Sequence, residues 1–476
     1  MRIAKRENRF CSVLIKNADY VVTMDETRRI LRNESIYIEG NRIVEVGSKE
    51  KRAEKVIDAK GLIVLPGFIN AHHHMFQSLF RNIPFLQNQP IDVWIETMCE
   101  MSRELTEEAT YFSSITSMIE LLLSGCTTSV DFLYVFPKRN KKIFYQTVKA
   151  AMDVGIRFNP IRGSVNLGKS KNGIIPDDVA EDEKKTLREC KRMIKLYHDP
   201  SEFSLIRVGL GPCTIFTSNK EVFEGVRDLA RDENVQMHTH ISESKWEVEY
   251  CKKNYGMSPV EYMKSIEWVG RDVVFVHCIN VDEREIKMIS ETQTGVCHCP
   301  ISNARGGGIA PITEMLAEKV RIGIGVDGPA GNDSSNMIEE MRWARTLQGA
   351  RAGFTYLKPS QVLEMGTLGG AMILNRNDIG SIEENKAADI VMFDTRHRIS
   401  FAGAIHDPVG SLIASQAIEV KYVLVDGKVV VEDGKVMTVD IEKVIQKQNE
   451  LAKEIVLKAE AKTSKPLTKI EWVRAF

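Results

Sequence analysis

Short apolar runs recur along the middle of the chain, and longer segments with amphipathic spacing separate them. A short apolar run bounded by turn residues is typical of a buried strand. The runs predicted as strands are Leu62–Ile69, Thr127–Phe132, Arg157–Arg162, Arg207–Leu210, Val235–His240, Val273–His277, Gly295–His298 and Arg321–Val326. The helical segments predicted between them are Glu107–Leu123, Lys142–Val154, Lys220–Glu233, Ser258–Ile266, Glu283–Thr292 and Ile312–Glu318. This alternation predicts a closed (β/α)₈ barrel of the TIM-barrel type rather than an open sheet.

Both ends of the chain are rich in short β-branched runs separated by turns such as Glu39-Gly40-Asn41 and Asp426-Gly427. Such a pattern favours hairpins. We therefore predict a small β-sandwich domain that is built from both chain ends and flanks the barrel. The predicted ranges are 1–62 and 377–440 for the small β domain, 63–376 for the barrel and 441–476 for a C-terminal helical extension. No function is assigned to that extension.

Two long segments interrupt the alternation of strands and helices. Residues 78–106 follow the first predicted strand, and residues 163–200 follow the third. In barrel enzymes, the loops that follow strands carry substrate specificity, so both insertions are expected near a binding site.

Composition narrows the function classes. Of 476 residues, 43% are hydrophobic and 27% are charged, and the formal net charge is −1. This balance predicts a globular protein that binds neither nucleic acid nor a membrane surface. The nine cysteines are scattered without a CxxC pair, which favours reduced thiols and a cytoplasmic location. No long apolar run follows Met1–Arg9, and no apolar run in the chain reaches membrane-spanning length, so neither a signal peptide nor a transmembrane helix is expected.

Histidines concentrate at the ends of the predicted strands. Seven of the ten lie there: His72, His73, His74, His238, His240, His277 and His298. In a barrel, all of these strand ends open on one face. Side chains alternate along a strand, so His72 and His74 point one way and could bind one metal ion together. The alternatives are a surface histidine tract and isolated core histidines.

The later strand ends supply the rest of a metal-dependent site. His240 is a candidate third ligand, and Glu243 lies three residues beyond it, where it could reach a substrate. His277 could hold a water molecule beside the metal, and Asp327 is a candidate fourth ligand or base, because a buried carboxylate is costly without a cation. His238 fits a core position as well as a role in orienting a ligand. We expect His198, His397 and His406 to lie in solvated loops. The cysteines of Cys297-His298-Cys299 are expected to be buried thiols rather than ligands of a zinc site.

This set of residues resembles the amidohydrolase superfamily, which combines His-x-His on strand one, histidines on strands five and six and an aspartate on strand eight. The added His-x-x-Glu resembles its deaminase and triazine-hydrolase branch, and several stretches look closest to 8-oxoguanine deaminases. Those stretches are Asn70–His74 with Gln77, Asn88–Pro90 with Trp94, Arg162–Ser164 with Leu167-Gly168, His298–Asn303, and Gly325–Gly328 with Asn332–Asn336. Met75-Phe76 and residues 82–86 depart from these relatives.

The resemblance implies metal-dependent hydrolytic deamination of an aminated N-heterocycle, with 8-oxoguanine or a related purine as the best candidate. The implied metal ligands are His72, His74, His240 and Asp327, and the implied catalytic residues are Glu243, His277 and Asp327. The candidates for substrate binding are Gln77, Trp94, Arg162, Ser302 and Asn303, each of which could also be structural.

The fourth strand ends without the lysine that bridges two metals in binuclear relatives, so one divalent ion is expected. Zinc is the default for these ligands, with Fe²⁺ and Mn²⁺ as alternatives. A homo-oligomer, most simply a dimer, follows from the resemblance alone.

Other functions fit parts of the same pattern. An s-triazine amino- or chlorohydrolase would use the same metal centre with a different leaving group. A guanine, adenosine or S-adenosylhomocysteine deaminase would differ in the ring that it binds. A non-catalytic scaffold relative would lack the metal ligands, which are all present here.

Overall fold

The computed structural model describes residues 11–47, 51–87, 89–137, 140, 142–353, 356–414 and 419–470. Met1–Arg9 and Asn88, which were considered above, lie outside these ranges. The described strands, in chain order, are β1 (Ser12–Ala18), β2 (Tyr20–Val22), β3 (Ile30–Leu31), β4 (Glu34–Glu39), β5 (Arg42–Val46), β6 (Lys55–Asp58), β7 (Leu62–Pro66), β8 (Phe68–Asn70), β9 (Cys126–Leu133), β10 (Arg157–Ser164), β11 (Gly209–Pro212), β12 (Met237–Ile241), β13 (Val273–His277), β14 (Gly295–His298), β15 (Arg321–Ile324), β16 (Ile390–Asp394), β17 (Tyr422–Val425), β18 (Lys428–Glu432) and β19 (Lys435–Val436).

The helices follow the same chain order. They are α1 (Ile91–Ser102), α2 (Glu107–Leu123), α3 (Ile143–Val154), α4 (Glu183–Tyr197), α5 (Lys220–Asp232), α6 (Lys245–Tyr255), α7 (Pro259–Ser265), α8 (Glu283–Glu291), α9 (Pro300–Gly306), α10 (Ile312–Ala317), α11 (Pro329–Asn332), α12 (Met337–Ala352), α13 (Pro359–Glu364), α14 (Gly370–Ile373), α15 (Pro408–Ala414) and α16 (Ile441–Thr463). Short 3₁₀ turns lie at Met75–Phe80, Pro84–Leu86, Lys169–Lys171 and Ile399–Phe401, and Met365–Gly369 is a π-helical turn. No helix in these described ranges has the length and apolar character that crossing a membrane requires.

Strands β8 to β15 form the predicted barrel. They pair in sequence order, and the pairs from β8 through β15 are parallel. The ring closes where the Ala71 backbone N–H, just after β8, donates to the Ile324 carbonyl of β15 at 2.8 Å. The barrel strands are buried along their whole length, as expected for a parallel sheet covered by helices. The (β/α)₈ expectation is confirmed.

Two sheets from the chain ends flank the barrel. One has the order β5-β4-β1-β6, and the other has the order β19-β18-β17-β16-β7-β2-β3. Buried aliphatic side chains from both sheets, among them Ile15, Ile38, Val64 and Ile390, form one core between them. The small domain therefore combines both chain ends, as the sequence predicts.

The prediction of a single strand over Leu62–Ile69 is wrong. Leu62–Pro66 pairs with β16 and β2 in the small domain, and only Phe68–Asn70 joins the barrel. Gly67 lies between them, where a Cβ atom would come within 2.0 Å of Thr127 Oγ1. Glycine allows this close approach, and the chain passes there from one sheet to the other. A domain boundary after residue 62 would therefore cut β7.

A buried ion pair joins the barrel to the small domain. Arg157, at the start of β10, is completely buried, and its guanidinium donates to both carboxylate oxygens of Asp389 at 2.8 and 2.9 Å. Asp426 lies beside the pair at 3.4 Å. Asp389 also accepts from the Asp426 backbone N–H, so the small domain holds the carboxylate in place.

Two insertion helices are absent from the predicted elements. α1 lies in the segment after the first barrel strand, and α4 lies in the segment after the third, where the sequence shows only a charged run. All nine cysteines are described and free; eight are buried and Cys11 is exposed.

Candidate metal centre and active-site cavity

Three histidine side chains converge at one end of the barrel. His72 and His74 follow β8, and His240 lies on β12. His240 Nε2 lies 3.2 Å from both His72 Nε2 and His74 Nε2. His73, between the first two, turns away and contacts Ser335 Oγ at 3.0 Å. The alternation expected from the sequence therefore places His72 and His74 together.

The Nδ1 atoms of the three histidines have partners on the side away from the centre, which leaves the Nε2 lone pairs facing one another. His74 Nδ1 donates to the Phe132 carbonyl and His240 Nδ1 to the Cys213 carbonyl, both at 2.7 Å. Nδ1 of His72 lies 3.1 Å from Nε2 of His238, which can accept in the same way. Burial lowers the pKa of all three converging histidines, so they are neutral near pH 7. Neutral Nε2 atoms cannot donate to one another, and a cation is the partner that suits them.

Asp327 completes the set of donors. It follows β15, and its Oδ1 lies 3.4 Å from His72 Nε2 and 3.5 Å from His74 Nε2. Burial alone would raise the pKa of Asp327, but its contact with His72 and the proximity of His277 and His74 hold that pKa well below the usual range. Separations of 3.2 to 3.5 Å match the edges of a tetrahedron with zinc–ligand bonds of about 2.0–2.1 Å. The residues present therefore fit one small divalent metal ion.

Glu243 and His277 lie beside this centre. Glu243 Oε1 is 3.9 Å from His277 Nε2. Burial and the nearby charge of Asp327 raise the pKa of Glu243 against the opposing effect of His277. His277 and Asp327 both have positive φ, at 76° and 62°. Such backbone strain in residues other than glycine is concentrated at functional sites.

The cavity above the three histidines has a volume of about 330 Å³. Its lining includes His74, His240, Glu243, His277 and Asp327, together with apolar side chains from the insertion after β8. A concave, mostly apolar pocket with a few convergent polar groups is typical of a small-molecule site.

Three of the five side chains predicted to contact the substrate line this cavity, and two do not. Gln77, Trp94 and Ser302 lie in its wall, and Ser302 Oγ donates to Asp327 Oδ2 at 2.5 Å. Arg162 is buried away from the lining, where its guanidinium pairs with Glu181 at 2.7 Å and lies over the Phe136 ring. The positive charge of the Arg162 guanidinium is therefore already balanced by the Glu181 carboxylate.

Asn303 lies behind the cavity rather than in its wall. Its Oδ1 accepts a hydrogen bond from His277 Nδ1 at 2.8 Å, and its Nδ2 lies 3.3 Å from His298 Nδ1. Since an oxygen only accepts, His277 carries its proton on Nδ1 and directs the free Nε2 toward the cavity. Asn303 therefore orients His277.

Sequence reasoning missed several polar lining residues. Tyr134 follows β9, and Cys213, Thr214 and Thr217 follow β11. Their signal was present, because each lies just past a barrel strand, but they form no motif. Tyr134 packs edge-on against His74 with ring centroids 5.1 Å apart, so it also fixes that imidazole.

Comparison with known proteins agrees with this geometry. Residues 63–430 match the model of the amidohydrolase family. The chain is 34% identical over 426 residues to 8-oxoguanine deaminase from Pseudomonas aeruginosa, covering 88% of this chain and 94% of that one. It is 32% identical over 452 residues to 5-methylthioadenosine/S-adenosylhomocysteine deaminase from Thermoanaerobacter pseudethanolicus, with coverage of 94% and 99%.

Among solved structures, atrazine chlorohydrolase TrzN from Arthrobacter aurescens, complexed with zinc, superposes with a TM-score of 0.89. The sequence identity is 30%, and the alignment covers 92% of this chain and all of that one. The superposition covers both the barrel and the flanking sheets, because it spans nearly all of each chain.

Proposed function

The chain belongs to the amidohydrolase family, and we propose that it hydrolyses the exocyclic C–N bond of an aminated N-heterocycle, with 8-oxoguanine as the first candidate substrate. The observation that carries the proposal is the convergence of three histidine Nε2 atoms and the Asp327 carboxylate within reach of Glu243 in one cavity. The similarity to 8-oxoguanine deaminase supports the choice of ring. The dimer expected from the family resemblance stays a prediction.

One divalent metal ion fits the donors, and His72, His74, His240 and Asp327 are the residues that would hold it. When bound, such an ion lowers the pKa of water to near 7 and so provides hydroxide at neutral pH. Zinc is the first choice, since neutral imidazoles and a carboxylate are its usual ligands and a structural neighbour is complexed with zinc.

The protons move through two side chains in this proposal. His277 Nε2 is free to accept a proton from water, because Nδ1 is committed to Asn303. Glu243 delivers a proton to the ring nitrogen as the water oxygen bonds to the amidine carbon. The amine then leaves with the remaining proton of that water, and His277 passes the proton it accepted to Glu243, whose Oε1 lies 3.9 Å from His277 Nε2, so both side chains return to their starting states. Of the two water hydrogens, one ends on the ring nitrogen and one on ammonia, while the oxygen becomes the ring carbonyl.

Replacement of chloride on a triazine is the second candidate. The structural similarity to an atrazine chlorohydrolase favours it, and the same donor set would serve it. The two reactions differ in the product released, so the product decides between them.

The test is ammonia release by purified, zinc-loaded protein. The panel holds 8-oxoguanine, guanine, S-adenosylhomocysteine, 5-methylthioadenosine and aminotriazines, with chloride measured on chlorotriazines. Ammonia from one purine well above the rest would support the proposal, whereas chloride without ammonia would replace it with the second candidate. Loss of activity in His240→Ala together with loss of bound zinc would support the ligand set, and a full equivalent of zinc in that variant would overturn it.

A further inference from the structure

One wall of the substrate cavity is built by the insertion between β8 and α2. Helix α1 contributes Ile91, Trp94, Ile95 and Cys99 to the lining. These positions recur with the spacing of one helix face. Thr97 and Glu100 lie on the opposite face of α1, so any group that holds them also sets where the lining face points.

The C-terminal segment, which comprises α16 and the residues after it up to Leu467, contacts that opposite face of α1. Lys465 Nζ donates to Thr97 Oγ1 at 3.1 Å and to Glu100 Oε2 at 2.5 Å. The two charged side chains are 23% and 15% exposed, so the ion pair is largely shielded from water. Lys462, at the end of α16, pairs with Glu104 just beyond α1 at 2.5 Å.

Two further contacts join the same C-terminal segment to the rest of the insertion. The Leu467 carbonyl accepts from the Phe85 backbone N–H at 3.3 Å, and the Leu467 side chain is fully buried. Gln448 on α16 donates to Ser78 Oγ at 3.1 Å, next to the lining residue Gln77. Helix α16 also packs directly against α1 and α2. The C-terminal segment therefore contacts the insertion at several separate points along its length.

We propose that residues 462–467 are a positioning element that fixes the α1 wall of the cavity, with Lys465 as its central residue. The proposal rests on the proposed function only in that the cavity binds the substrate. None of these residues reaches the reacting atoms, so their loss should weaken substrate binding and leave the chemical step largely intact. The C-terminal extension then serves the active site of its own chain from the far end of the sequence.

The test compares Lys465→Met with Lys465→Arg in the full-length, zinc-loaded protein. Methionine keeps the aliphatic stem and removes the charge and donors, whereas arginine keeps both. We expect KM to rise at least about threefold in Lys465→Met, with kcat within about twofold and zinc content unchanged. Lys465→Arg should recover most of the affinity. Glu100→Gln, which removes the charge from the other side, should show the same change in KM.

Hydrogen exchange provides a readout that needs no substrate. Peptides covering 91–102 should exchange faster in Lys465→Met than in the unaltered protein, while peptides from β12 and β13 should not change. Lys458→Met is the matched control, because Lys458 pairs with Glu454 on its own helix. If no panel compound is turned over, the proposed function fails, and exchange alone decides on the positioning element. Unchanged exchange in α1, or a loss of kcat with unchanged KM, would overturn it.

Discussion

Replacing Asn303 with alanine isolates the orientation of His277 from the metal site. Asn303 is 2% exposed and is not itself part of the cavity lining. Its amide accepts from His277 Nδ1 and faces His298 Nδ1. Asn303→Ala therefore leaves a buried N–H of His277 without its acceptor and leaves the four metal-ligand candidates in place.

The size of the effect follows from that lost acceptor. A buried donor without a partner costs about 1–3 kcal/mol. The imidazole can escape this cost by moving its proton to Nε2, where it can no longer accept a proton from water. If the cost of the unpaired N–H falls on the form of His277 that keeps its proton on Nδ1, kcat should drop about 5- to 150-fold, since about 1.4 kcal/mol corresponds to a factor of ten. Removal of groups that orient metal-site residues typically costs about 10- to 100-fold, which is the same range.

The assay is steady-state kinetics on the best substrate of the panel, with zinc content measured on the same sample. Asn159→Ala is the control, since Asn159 is also a buried asparagine but lies on strand β10 and makes no contact with His277. We expect a reduced kcat with KM within about threefold and a full equivalent of zinc. A kcat within twofold of the unaltered enzyme, with the fold intact, would refute the role assigned to Asn303.

Three other changes test separate parts of the molecule. Glu243→Gln should retain zinc but lower kcat at least about 100-fold, because it cannot deliver a proton, and near-normal turnover would remove Glu243 from the mechanism. Arg157→Met should lower the free energy of unfolding by about 3–5 kcal/mol in urea titrations, since Asp389 is left buried without its cation. Burial raises the pKa of Asp131 to about 7, so the native state favours the protonated carboxyl and loses stability as pH rises toward that value. Asp131→Asn should therefore be more stable than the unaltered protein at pH 8 and close to it at pH 4, and an equal pH dependence would contradict this.

Local signals were sufficient for much of the fold. Helix α2 begins at Glu107 because Thr106 accepts from the Ala109 N–H, and a threonine before an apolar periodic run is visible in the sequence. Helix α16 begins in the same way after Asp440. Strand β13 ends at His277, as its apolar run indicates. These boundaries depend on groups within a few residues of each other.

Predictions failed where distant parts of the chain decide. The run Leu62–Ile69 reads as one strand, but its two halves have different partners, β16 on one side of Gly67 and β9 on the other. Arg162 lies near the end of β10, as a substrate-binding residue should, but Glu181 from the following insertion neutralises its charge. The sequence does not specify which strand or carboxylate will arrive at these positions.

The candidate site offers a physical reason to choose between the two possible leaving groups, an amine and chloride. Chloride departs as a stable anion, whereas an amine requires a proton before its bond to carbon breaks. A carboxyl that delivers protons must be protonated for part of the time near neutral pH. Burial pushes the pKa of Glu243 upward, and its Oε1 lies 3.9 Å from the Nε2 of His277, so a donor and an acceptor for protons lie side by side above the histidine centre. Deamination must place one proton on the ring nitrogen and one on the leaving nitrogen, whereas chloride needs none to depart, so a site with both a proton donor and a proton acceptor favours deamination among the reactions that the fold supports.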